Sequence, residues 1–235
     1  MKLKIALLAA AATTSLSSAA SIGVNFTESI AGHASQHMAA GTVAGLEAQS
    51  NWNETGGASG TVSSLVDSAG ATTGAAATWS AGAGGGMWGD GGANVDALAG
   101  VGNVQLRRGY LDDNGTSPIT FSVANVPYPM YDLILYYATD TAGAQHLQGV
   151  TANGSFARPD ATTGALYSEN SAYDSTNTAR IFGLTGDLTA TMDARNTNGT
   201  GRASIAGFQI VAVPEPSSTL LVGLSGLALL MRRRK

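Results

Sequence analysis

The chain has 235 residues, 44% apolar and 12% charged, with 31 glycines, no cysteine and a net charge of −4; that length fits one ordinary domain or two small ones. Without cysteine there is no disulfide framework, thiol nucleophile, zinc knuckle or iron–sulfur site. With 12 basic residues against 16 acidic ones there is no electrostatic footprint for nucleic acid. Glycine without a period of three excludes collagen, and the apolar share argues against disorder throughout.

The first element is a leader. Met1-Lys2-Leu3-Lys4 is basic, Ile5 to Ala12 carries no charge, and Thr13 to Ala20 is made of small residues. That order is a secretory signal peptide over residues 1–20, with cleavage after Ser18-Ala19-Ala20. A buried first helix would leave Lys2 and Lys4 unexplained.

From Ser21 onward, period-two alternation dominates. Ile22, Val24 and Phe26 fall on one face, and so do Val104, Leu106 and Tyr110; Ile119, Phe121 and Val123; and Leu188, Ala190 and Met192. Each pattern predicts a strand with one wet face. Leu133 to Tyr137 is apolar on both faces and predicts a central strand, and Ser204 to Val213 predicts the closing one. Asp113-Asn114-Gly115, Asn153-Gly154 and Asn198-Gly199 mark turns, because Asn and Gly adopt positive φ at low cost. Residues 56–94 hold 12 glycines in 39 positions; Trp79 and Trp88 within them argue for ordered loops and thin strands (Thr61 to Val66, Ala75 to Ser80) rather than a linker. The expected fold is all-β: a single antiparallel, jelly-roll-like sandwich over residues 21–212 with Gly-rich loops.

Several constellations have a chemical reading and a plainer one. His33 and His37 would share a face on a helix, with Glu28 or His146 as a third metal ligand, but His-Glu-x-x-His is absent and two solvated histidines are the expectation. Asp112-Asp113-Asn114-Gly115 has oxygen donors for calcium but lacks the full calcium-loop pattern, so it reads as a turn. No metal or cofactor is expected, although export would make structural calcium compatible with such a sandwich. Gly84-Gly85-Gly86-Met87-Trp88-Gly89 matches a dinucleotide fingerprint only formally, since Asp90-Gly91-Gly92 would not open a helix. There is no Gly-x-Ser-x-Gly and no lysine between residues 21 and 213, so no catalytic residue is nominated. Trp52, Trp79 and Trp88 sit among Gly, Asn and Ser. An aromatic ring there offers an apolar face to sugar C–H groups, with Asn and Asp to hold the hydroxyls. The plainer alternative is that the three rings plug the ends of the sandwich.

The last 23 residues form a second targeting segment. Val213-Pro214-Glu215-Pro216-Ser217 precedes an uncharged run from Thr219 to Met231 and the cluster Arg232-Arg233-Arg234-Lys235. Thirteen residues make a helix of roughly 20 Å, short for a hydrocarbon core of about 30 Å, and the cations hold its end on the cytoplasmic side. A brief stop during export suits it better than a permanent anchor. Residues 213–235 closely resemble the PEP-CTERM sorting signal of exported bacterial proteins. That resemblance implies recognition by an exosortase, a membrane protease that cuts near Pro214-Glu215-Pro216, transient membrane insertion through the short helix, and delivery to the envelope or extracellular matrix of polysaccharide-producing bacteria. Tyr131 to Tyr137 and Ile205 to Val211 also resemble, more loosely, the paired core strands of galactose-binding-like jelly rolls, which implies fold rather than activity.

Setting aside Lys2, Lys4, Glu215 and the four terminal cations leaves 6 basic and 15 acidic groups, a net charge of −9. Such a domain repels polyanions. The expected function is non-enzymatic: an adhesive, structural or carbohydrate-binding protein within exopolysaccharide. A secreted polysaccharide-acting enzyme and an inert spacer are the alternatives.

Overall fold

The structure is a computed structural model that describes residues 19–27, 37–89, 102–113, 115, 117–138, 149–160, 177–192 and 203–214. The signal segment before Ala19, the C-terminal helix and the basic tail lie outside the described residues, as do His33, Glu28 and His146.

The described residues are nearly all β. In chain order the elements are β1 (Ser21–Phe26), β2 (Asn53–Thr55), β3 (Ser59–Val62), β4 (Ala76–Ser80), β5 (Gly86–Gly89), a one-turn helix α1 (Gly102–Gln105), β6 (Gly109–Asp112), β7 (Ile119–Ala124), β8 (Tyr131–Tyr136), β9 (Val150–Ala152), β10 (Ser155–Ala157), β11 (Thr178–Leu184), β12 (Leu188–Met192), β13 (Ser204–Ile205) and β14 (Gly207–Ala212). They form a five-stranded sheet, β11-β8-β14-β1-β2, a six-stranded sheet, β10-β9-β12-β7-β4-β3, and a three-stranded one, β13-β6-β5. Pairing is antiparallel except between β1 and β2, which run parallel with Asn25 opposite Glu54. That single pair departs from the wholly antiparallel expectation. The Tyr-rich strand β8 and the closing strand β14 do pair, with Leu133 opposite Ile210.

The alternation read from the sequence decides which side chains meet. Val24, Phe26, Phe208, Ile210, Leu133 and Leu135 project from the five-stranded sheet, and Trp79, Phe121, Val123, Leu188 and Ala190 from the six-stranded one, into one core. At its centre Phe121 stacks on Phe208 with centroids 4.7 Å apart, and Phe26 lies 6.0 Å from Phe208 and 6.1 Å from Trp79. Offset and tilted aromatic pairs add to the gain from area burial.

The other face of the five-stranded sheet is also covered. Trp52, Met38 and Ala44 from the segment before β2, with Leu106 after α1, pack on Ile134, Tyr136 and Val211. A hydrogen-bonded chain pins that layer. The Tyr136 hydroxyl donates to Gln209 Oε1 at 2.7 Å and accepts from the Leu46 amide at 2.8 Å. Gln209 Nε2 donates to the Glu47 carbonyl and to Gln49 Oε1, both at 2.7 Å. Burial raises the Tyr136 phenol well above its usual value, so it stays a neutral donor.

One expected strand is corrected. The alternation of Val104, Leu106 and Tyr110 is split between α1 and β6: Val104 lies in the helix and Tyr110 in the strand, while Leu106 and Tyr110 both pack in the outer layer. The Gly-rich stretch, as far as Gly89, holds β3, β4 and β5. The Asn153-Gly154 turn closes the β9–β10 hairpin with φ of 47° and 83°, the pair of left-handed residues that a tight two-residue hairpin demands.

Phe208→Ala removes the ring shared by both sheets. It should cost roughly 3–5 kcal/mol, read as a lower urea midpoint at unchanged slope; a loss below about 1 kcal/mol would deny that ring its central place.

Candidate functional site

The three tryptophans nominated from sequence have different fates. Trp52 is 6% and Trp79 5% exposed, whereas Trp88 is 51% exposed. Trp52 lies on Gly23 of β1, where a Cβ would stand 2.5 Å from the ring, and its Nε1 donates to the Gln49 carbonyl at 3.2 Å. Trp79 lies on Gly60 of β3 in the same manner, 2.5 Å from where a Cβ would be, and donates to the Gly57 carbonyl at 3.1 Å. Each ring fills a slot that a glycine leaves on a neighbouring strand. As sugar contacts Trp52 and Trp79 are therefore corrected: their faces are spent inside the protein. Trp88, opposite Tyr110 on the edge strand β5, remains open to a ligand. Phe156 and Phe182, which the sequence reading did not single out, are 63% and 70% exposed. Phe182 has the Arg180 guanidinium 5.1 Å from its centroid, and Arg180 is held at 2.8 Å by both Glu47 and Asp132.

The outer face of the six-stranded sheet carries rows of hydroxyl side chains that the pairing register aligns. Thr61, Thr78, Ser122 and Thr189 stand opposite one another across β3, β4, β7 and β12. One step along, Ser59, Ser80, Thr120, Thr191 and Thr151 form a second row that ends at Phe156 on β10. Neighbours within a row are about 4.8 Å apart, and the rows are about 6.6 Å apart. None of these side chains is charged. Thr61 and Thr78 share a hydrogen bond of 3.2 Å between their hydroxyls. Between the rows lies a groove of 210 Å³ lined by Thr78, Ser80, Thr120, Ser122, Thr189 and Thr191, with Trp79, Phe121 and Ala190 between them along the strands.

At the β2 edge, Glu54 is half-buried. Asn25 Nδ2 donates to its Oε2 at 2.9 Å and the Met38 amide to its Oε1 at 3.2 Å. Burial raises its carboxyl from 4.5 to about 8, with the two hydrogen bonds opposing the shift. Asp113 Oδ1 accepts from the Gly115 and Ala203 amides at 2.8 and 2.9 Å, so the acidic turn is a backbone clasp between β6 and β13. His37 is exposed.

The two termini of the described fold lie side by side at the ends of the inner strands β1 and β14. The Ala212 amide donates to the Ala20 carbonyl at 2.8 Å, and the Val213 amide to that of Met130 at 3.0 Å. Ala19 packs against the outer layer, while Ala20 and Pro214 are exposed. Glu215, Pro216 and Arg232 to Arg234 lie outside the described residues. Residues 212–235 match the family model for the PEP-CTERM protein-sorting motif. The chain carries an exosortase sorting signal. That signal marks it for export and for sorting at the cell envelope by a membrane protease. Among the described residues no helix is long and apolar enough to cross a membrane, and the stretch expected from sequence to form a short C-terminal helix lies outside them.

No curated protein matches the chain. Among solved structures, a chain of "Crystal structure of plant peptide RALF23 in complex with FER and LLG2" is similar at 12% identity with a TM-score of 0.36, over 83% of this chain and 40% of that one. A likeness that slight carries no argument. The galactose-binding-like resemblance is not confirmed.

The folded state keeps the Glu54 proton up to about pH 8, whereas the unfolded chain releases it near 4.5. The folded state therefore binds more protons in that window, and stability falls as pH rises through it. Glu54→Gln should flatten the decline of the thermal midpoint between pH 5 and 8; an identical slope in both proteins would deny Glu54 the buried proton.

Proposed function

We propose that the chain is a non-enzymatic, adhesive or structural protein of the extracellular matrix, delivered by exosortase sorting and held there by contact with secreted polysaccharide. The sorting motif carries the delivery half of this reading. The contact half is supported by the surface chemistry: a sheet face built of hydroxyls, and the exposed rings of Trp88, Phe156 and Phe182. Aromatic faces and hydroxyls suit carbohydrate, which presents apolar C–H faces and a dense set of donors and acceptors. The net charge of −9 between residues 21 and 213 disfavours anionic polymers.

Two measurements test it. Mass spectrometry of the protein from its host should find a mature start near Ser21 and an end between Pro214 and Ser217; a cytosolic product with Met1 and Lys235 intact would end the delivery reading. In fractionation, the protein should stay with the secreted polysaccharide through a 1 M salt wash and leave it on enzymatic depolymerisation. Trp88→Ala should weaken this retention. Release by salt alone would mark the association as ionic and overturn the contact reading.

A further inference from the structure

We propose that the groove on the outer face of the six-stranded sheet is a binding site for a neutral polysaccharide chain. The inference rests on the reading of the protein as a polysaccharide-contacting matrix component, and adds where the contact lies and which class of polymer it takes.

Three observations converge on this face. The first is chemical uniformity. Thr78, Ser80, Thr120, Ser122, Thr189 and Thr191 line the groove on three adjacent strands. A hydroxyl both donates and accepts, so each can meet a sugar hydroxyl of either polarity, and each threonine adds a methyl group for the C–H face of a ring. A surface evolved only for solubility would be expected to carry charges of both signs; these two rows carry none.

The second observation is shape. The five-stranded sheet has its outer face covered by the layer that contains Trp52 and Leu106, whereas among the described residues this face is open and indented by 210 Å³. The indentation runs across the strands between two hydroxyl rows, a course an extended polymer can follow. Sheet twist rotates each strand relative to the next, so a flexible chain fits this surface better than a flat crystal plane does.

The third observation is the aromatic end. Thr151 continues the second row beyond Thr191, and Phe156 stands opposite it on the edge strand. Phe156 leans over Gly149, which has no side chain to obstruct the ring, and stays 63% exposed. An aromatic ring at the end of a hydroxyl track supplies the stacking contact that hydroxyls lack. The polymer is neutral because the track has no cation to pair with an acidic one, and the net charge of −9 between residues 21 and 213 opposes its approach.

The test is affinity electrophoresis of the protein purified from its producing cells, in native gels containing hydroxyethyl cellulose, galactomannan, dextran or alginate. At least one neutral polymer should retard the wild type, and alginate should not. The triple variant Thr78→Val, Thr120→Val, Thr189→Val keeps β-branched shape and sheet preference while removing three hydroxyls. It should weaken retardation about ten-fold or more, as should Phe156→Ala, whereas Thr189→Ser should bind as the wild type does. Unaltered retardation of a triple variant that melts like the wild type would overturn the groove while leaving the polysaccharide reading intact. Retardation by alginate alone would overturn the neutral assignment. No retardation of the wild type by any polymer would overturn the groove, and with the retention experiment also negative, the broader reading too.

Discussion

Two phenylalanines lying flat on each other join the two large sheets of this protein. Phe121 and Phe208, 4.7 Å apart at 15°, come from strands that are otherwise hydrogen-bonded only within their own sheets. Phe26 and Trp79 close around them. Sheet hydrogen bonds fix the order of strands but say nothing about which sheet lies on which. That choice is made by the side chains between them. The other inner-facing residues of β7 and β14 pack in the same core, and the pleat points the alternate residues the other way.

The alternate residues then have two different fates. Behind β14 and β8, the outward Gln209 and Tyr136 are tied into the layer that holds Glu47, Gln49 and Trp52. Those polar groups are partnered inside the protein and have no capacity left for a ligand. Behind β7, Thr120 is exposed and Ser122 half-buried, and no layer covers them among the described residues. The asymmetry between the two faces directs attention to the six-stranded sheet. Among the described residues, Met38, Ala44 and Trp52 ahead of β2 supply the cover on the five-stranded sheet.

The strands with one wet face were readable in the sequence. β7 and β12 follow the alternation of their apolar residues, since burial on one side leaves a period of two that needs no other information. The same alternation in β1 predicts one wet face, yet all six of its residues are buried, because Gln49 and Trp52 lie over the outer side at Gly23. β2 and the β9–β10 hairpin are three residues long apiece, too short for a period to show. The helix α1 was hidden for another reason: Val104, Leu106 and Tyr110 are spaced as a strand would space them, yet Val104 lies in a helical turn and only Tyr110 in a strand. The tryptophans show the same limit. Trp52 and Trp79 stand in glycine-rich sequence that resembles loop, while the glycines that receive their rings, Gly23 and Gly60, are partners set by strand pairing. The groove was legible in fragments. Thr78 with Ser80, Thr120 with Ser122 and Thr189 with Thr191 are visible as hydroxyl pairs, but only the register brings the three pairs side by side.

The bond from Ala212 to Ala20 places entry and exit of the folded unit side by side. A precursor still holding both hydrophobic ends would thus be tethered at a single pole, like a lantern hung from two cords on one hook. The matched sorting motif begins at Ala212, one hydrogen bond away from the other terminus of the described fold.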